Sequence, residues 1–179
     1  MALIGPGRIA IAALRDAILT ALAAGFTERA QTLALCSHFD PGTLADDSGN
    51  LIIPTPALLL EIGPWTRVAS PYRPMSGERC YAGDLIEWRA YHLVSTRPSD
   101  RNGDTMIERA DPDLHTAEMA AITRAILDAD GGNRWGHAGV VDRPDWEGTG
   151  SEPVDMKLPG ISARVLRWQQ AALLAESYI

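Results

Sequence analysis

Cysteine occurs only twice in the 179 residues, as Cys36 and Cys80, with no CxxC spacing. Two cysteines make no disulfide framework. Both sit in apolar, strand-like runs, so the expectation is buried, reduced thiols. Lysine is nearly missing: Lys157 is the only one, and the other bases are scattered arginines. With 23 acidic against 16 basic residues and a formal charge of -7, the chain lacks the clustered cations that release counterions from nucleic acid. A DNA-gripping surface is therefore excluded. Long hydrophobic runs are missing too. No stretch approaches the roughly 20 unbroken apolar residues of a membrane span. The first 25 residues imitate a secretory signal through Arg8, an apolar run and Ala21-Leu22-Ala23, but Arg15-Asp16 interrupts that run with two charges. A soluble chain, intracellular when made, is expected.

What is present suffices for a globule. A chain of this length buries roughly 70% of its unfolded surface, and 46% hydrophobic residues with 22% charged ones supply a core and an ordinary surface. One domain over residues 1–179 is expected, with an N-terminal arm at 1–7 and long loops at 40–56, 64–79, 98–110 and 142–160. Ile11, Leu14, Ile18 and Leu22 recur at helical spacing, which predicts a helix over 8–24 ended by Gly25 as a left-handed cap. A strand is expected between Gln31 and His38. Ala57 to Ile62 reads as a strand covered on both faces. Leu85 to Ser95 alternates strictly, with Ile86, Trp88, Ala90, His92 and Val94 on one side and Glu87, Arg89 and Tyr91 on the other. Asp111-Pro112-Asp113 opens a second helix over 112–129: a capping acid, a first-turn proline and an acid at the positive dipole end. A weak strand follows at Val140-Val141, and Ile161 to Leu174 reads as a closing strand more readily than a helix. The order suggests an α+β fold, an antiparallel or mixed sheet with two main helices packed on one face.

Motifs for chemistry are sparse. Gly5-Pro6-Gly7-Arg8-Ile9-Ala10 has the letters of a dinucleotide turn, but only four residues precede it and Pro6 removes a donor; an N-terminal arm is the better reading. His38, His92, His115 and His137 have no ligand spacing for a metal. His38 and Asp40 more simply close a strand into a turn. Asp128-x-Asp130-Gly131-Gly132-Asn133 lacks the glycine and twelfth-position acid of a calcium loop. No nucleophile elbow occurs, and Asp46-Asp47 sits in a turn-rich, solvated segment. No catalytic residue, metal or cofactor is expected. Trp88 and Trp168 lie within strands and belong to a core. Trp65, Trp135 and Trp146 lie in or beside loops near Arg67, Arg134 and Arg143; they either form an interaction surface or fold back onto the domain.

Five segments in order resemble the tail-terminator proteins of Mu-like phages and prophages. Ile11-Ala12-Ala13-Leu14-Arg15-Asp16-Ala17-Ile18 is similar to their opening helix, Ala57-Leu58-Leu59-Leu60-Glu61 to an apolar strand ending in an acid, and Leu85 to Tyr91 to the long strand after a variable loop. Asn133-Arg134-Trp135-Gly136 resembles a turn after the second helix, and Val165 to Gln170 a closing strand. The 98–110 loop and the 142–160 segment depart from the family pattern. The resemblance implies a structural virion protein forming a ring, usually a hexamer, at the head-proximal end of the tail tube. The ring stops tube polymerisation and joins the tail to the head connector. Its partners would be other copies of itself, the tail tube protein, the head-side connector or stopper, and a sheath protein if the tail is contractile. DNA would pass through the lumen without specific binding. Within this reading Trp65, Arg67, Tyr72, Arg73, Arg134 and Trp135 are the candidate subunit or tube contacts. The competing readings are a neighbouring head–tail connector protein and a small cytosolic enzyme, which would show a pocket lined by converging titratable groups.

Overall fold

A computed structural model describes residues 8–44, 52–68, 83–96, 111–129, 134–137, 140–145 and 150–175. The elements run α1 (Ile11–Glu28), β1 (Leu35–His38), a single 3-10 turn (Pro41–Thr43), β2 (Ala57–Val68), β3 (Gly83–Ser95), α2 (Pro112–Leu127), β4 (Val141–Asp145), β5 (Ser151–Pro153) and β6 (Ile161–Ala172). The strands make one sheet in the order β1-β2-β3-β6-β4, with β5 also on β6. β1 lies parallel to β2, the other strand pairs are antiparallel, and a single parallel bridge joins Ile9 to Leu174. This is the α+β architecture that the helical and alternating periods predict.

Period-two alternation in β3 and β6 makes the sheet two-faced. Ile86, Trp88, Ala90 and Val94 meet Leu58, Leu60, Leu166 and Trp168 on the face covered by the helices, where α1 supplies Leu14, Ile18, Leu22 and Phe26 and α2 supplies Met119, Ala120, Ile126 and Leu127. A smaller cluster on the opposite face, built on Leu44, Ala57, Leu59, Leu93 and Ala163, is covered by Phe39, Ile53, Val154 and Met156. Ala57 to Leu60 is therefore buried on both sides, as its unbroken apolar run requires.

α2 starts as its sequence dictates: the Asp111 side chain accepts the Asp113 N–H, with Pro112 in the first turn. α1 corrects the expectation. Gly25 does not end it; the helix continues to Glu28, and the left-handed residue is Ala30, at φ 56°. Gly25 is instead the point where α1 lies closest to α2. A Cβ there would stand 2.6 Å from Ile126 Cδ1 and 2.7 Å from its Cγ1.

Several expected loops contain strand. β2 runs past Ile62 to Val68, through a bulge at Gly63-Pro64 where the register with β3 shifts. A proline is tolerated there because a bulge leaves ladder positions unpaired. The expected irregular stretch 142–160 holds β5 and most of β4. The first strand is confined to Leu35–His38. The arm at 1–7, the 98–110 loop, residues 45–51 of the 40–56 loop with Asp46-Asp47, residues 69–79 of the 64–79 loop, Cys80 and Trp146 lie outside the described residues. Among the described residues no helix is long and apolar enough to cross a membrane.

Gly25→Ala is expected to lower the melting temperature, because overpacking against Ile126 costs about 1–3 kcal/mol. In an Ile126→Ala background the same change should raise it, since alanine gains about 1 kcal/mol over glycine in a helix. Thermal melts of the four proteins in this cycle decide the point; equal effects of Gly25→Ala in both backgrounds would remove the close approach as the reason for the glycine.

Candidate functional site

The sheet brings part of the expected contact set to one end. Trp65 pairs with Ile86, Ile86 with Gln170, and Gln170 with Pro144, forming one row across β2, β3, β6 and β4. Trp65 stands 47% exposed on this row. Two strands away, the 134–137 loop anchors on the same row, because the Trp135 indole N–H donates to Gln170 Oε1 at 3.0 Å. The Gln170 amide in turn donates to the Asp142 carbonyl at 2.7 Å. Trp65 and Gln170 thus stand two strand spacings, about 10 Å, apart along the row.

Trp135 itself corrects the reading that placed it on a contact surface. It is only 7% exposed and packs within the main core, held in a left-handed conformation at φ 55°. The loop has folded its tryptophan back onto the domain. Its neighbour Arg134 is half-buried, 4.0 Å from Asp142. Arg67 continues β2 opposite Asp84, while its side chain, Tyr72 and Arg73 lie outside the described residues. Of the six candidates, Trp65 is the described apolar side chain that reaches solvent.

Strand register assembles a charged ladder on the sheet face away from the helices. Glu61 on β2, Arg89 on β3 and Arg167 on β6 stand in one row. Arg89 donates to Glu87 Oε1 at 2.7 Å and to Glu61 Oε2 at 3.4 Å, and Arg167 pairs with Glu152 at 2.5 Å. Arg89 and Arg167 are directly opposed, an unfavourable juxtaposition of like charges that these carboxylates offset. The Tyr91 hydroxyl donates to Glu61 Oε2 at 2.7 Å, and its ring stacks on Phe39 with centroids 4.8 Å apart. Burial, followed by the bond to Glu61, raises the Tyr91 pKa above its ordinary value of 10.0. Every carboxylate in this ladder is already committed to an arginine. The alternation of β3 places Glu87, Arg89 and Tyr91 on one face, but the partners from β2, β5 and β6 needed the register. Among the described residues no group of three or more His, Cys, Asp or Glu is arranged to hold a metal.

One titratable side chain is sealed in the core. His92 is fully buried, with Nε2 2.8 Å from Thr123 Oγ1. The Thr123 hydroxyl donates its one proton to the Met119 carbonyl at 3.0 Å. The tautomer that fits has Nε2–H donating to Thr123 and a bare Nδ1, and Nδ1 has no partner among the described residues. Burial pushes the His92 pKa from 6.5 down to about 3; the backbone of Arg164, its cross-strand neighbour on β6, opposes the shift, and the Arg164 charge adds a smaller repulsion. A ring closed to solvent on every side joins α2 to the sheet; it has no access to a substrate. Cys36 is likewise structural: it is half-buried, its thiol donates to the Leu19 carbonyl at 3.6 Å, and burial raises its pKa to about 11.

The low folded-state pKa of His92 sets a sign. Neutral His92 favours folding at and above pH 6.5. This contribution falls as the pH drops from 6.5 towards 3, by about 1.4 kcal/mol per unit, because only the unfolded chain takes up the proton. His92→Gln should flatten this acid slope in urea unfolding between pH 7 and 4.5; parallel slopes for the two proteins would contradict it. Replacement of the two row tryptophans should separate their roles. Trp135→Ala is expected to cost roughly 3–5 kcal/mol of stability and Trp65→Ala less than about 0.5 kcal/mol. Similar losses from the two would refute the division between core and surface.

Comparison with protein-family models gives no match for this chain, and comparison with curated proteins likewise gives none.

Proposed function

We propose that this chain is a ring-forming tail terminator of a Mu-like phage, a structural virion protein without catalytic activity of its own. The reading rests on the resemblance in sequence together with where its segments fall. Ile11 to Ile18 opens α1, Ala57 to Glu61 begins β2, Leu85 to Tyr91 lies in β3, Arg134 to Gly136 follows α2, and Val165 to Gln170 is the middle of β6. The observation that carries it is Trp65. A large, half-exposed aromatic on an extended strand, beside a bulge, is costly to leave in water and suited to anchor a contact.

The mechanism is steric and electrostatic. Copies of the chain close into a ring by a heterologous contact repeated around an axis. One face of that ring matches the last layer of the tail tube, and the opposite face accepts the head-side connector but no further tube subunits. A net charge of -7 per copy disfavours adhesion of the DNA that passes through the lumen. The place of action is the tail–neck junction of the virion, after assembly in the bacterial cytoplasm.

Deletion of the gene from its phage or prophage tests this. Electron microscopy of the resulting lysate should show overlong tubes that fail to join heads. Tails of normal length attached to heads would overturn the reading.

A further inference from the structure

Among the described residues four buried side-chain polar atoms lack a hydrogen-bond partner: Trp88 Nε1, Trp168 Nε1, His92 Nδ1 and Arg164 Nε. Buried polar atoms are nearly always bonded, so four in one place call for a reason. Strand register gathers them. Trp88 pairs with Trp168 and His92 with Arg164, on either side of the Ala90–Leu166 pair. By the alternation of β3 and β6 all six residues lie on the face that the helices cover, where Trp88, Ala90, Leu166 and Trp168 belong to the main core. α2 is the helix above them, for it packs mainly on β3 and β6, while α1 packs mainly on β1 and β2.

α2 offers these nitrogens no side-chain bond. Its buried face consists of Thr116, Met119, Ala120, Thr123, Ile126 and Leu127. The two hydroxyls donate into the helix itself, Thr116 to the Asp113 carbonyl and Thr123 to the Met119 carbonyl, and the other side chains are apolar. Two side-chain bonds fasten α2 to the sheet: His92 Nε2 with Thr123 at 2.8 Å, and the Ser162 hydroxyl donating to Asp113 at 2.5 Å. α1 is seated differently, by the fully apolar stripe of Leu14, Ile18, Leu22 and Phe26.

We infer that α2 is a detachable layer, which lifts from the β3–β6 surface while the sheet keeps its register, and that acid favours the lifted state. Water then reaches the four nitrogens, so this opening costs less than parting a wholly apolar seam. The sheet does not need α2 for its backbone bonds, since β3 and β6 pair without a break from Asp84–Ala172 to Ser95–Ile161. Acid acts through His92. Burial beneath α2 pushes its pKa down to about 3, and exposure returns it to 6.5. The charge facing the ring is that of Arg164 on β6, which opposes protonation while α2 is seated. Its neighbours Leu58 on β2 and Thr123 on α2 are neutral. Asp113 is held by Ser162 further along β6, Glu118, Arg124 and Asp128 of α2 are exposed, and Glu152 of β5 is paired with Arg167.

Amide hydrogen exchange of the full chain tests this, followed residue by residue by NMR at pH 7 and pH 5 and corrected for intrinsic exchange rates. The α2 amides should exchange through an opening that leaves the β3 and β6 amides protected. The α2 opening constant should rise about 25-fold from pH 7 to pH 5, as expected for one group whose pKa moves from about 3 to 6.5 on opening. His92→Gln should abolish that rise. Thr123→Val keeps the titrating ring but removes its bond, and should raise the α2 opening constant roughly tenfold at both pH values. Equal opening constants for α2 and the two strands would mean that α2 leaves only when the whole domain unfolds, which overturns the inference. An α2 opening that ignores pH, that keeps its acid rise in His92→Gln, or that is unmoved by Thr123→Val overturns it as well. Should His92→Gln fail to fold, the wild-type pH series and Thr123→Val decide the matter between them.

Discussion

Trp88 on β3 and Trp168 on β6 face each other at the centre of the sheet, fully buried, with ring centroids 6.3 Å apart and planes inclined by 20°. The rest of the subunit depends on the register that sets them there. Because side chains alternate, a slip of one residue between β3 and β6 would send one of the two to the charged face and would take that strand's apolar side chains from beneath the helices. Leu14, Ile18 and Leu22 from α1 and Met119, Ile126 and Leu127 from α2 join the same core. With Gly25 removing the one Cβ that would hold the helices apart, the helical layer closes over the tryptophan pair.

The same register distributes polarity. On the helix side His92 is fully buried, kept neutral by that burial and bonded to Thr123 of α2. On the other face, Glu61, Glu87 and Glu152 pair with Arg89 and Arg167, the five coming from four strands. Among the described residues three large hydrophobic side chains, Ile52, Trp65 and Leu114, stay exposed.

Much of the fold was legible in the chain because its signals are local. The i, i+4 spacing of Ile18 and Leu22, the Asp111-Pro112-Asp113 start and the strict alternation from Ile86 to Val94 each depend on residues within a turn or two of one another. The candidate site was less legible. Trp65 and Trp135 look alike in sequence, each beside a loop with an arginine near it, yet one is half-exposed and the other belongs to the core. What separates them is Gln170, 35 positions beyond Trp135, which β6 brings to the same row and which accepts the indole N–H.

The sequence by itself determined the kinds of element, their order, the two-faced character of β3 and the absence of clustered cations, since periodicity, capping and composition are carried by neighbouring residues or by totals. Only the tertiary structure decided that Gly25 marks a helix crossing and not a helix end, that Pro64 sits in a bulge within a strand and not in a loop, that Trp135 is buried, and that Arg89 stands between two carboxylates. Each of these is a relation between segments distant along the chain. Such relations arise from strand register and helix packing, which bury the most apolar surface for the whole chain at once and leave no mark in any short stretch of it.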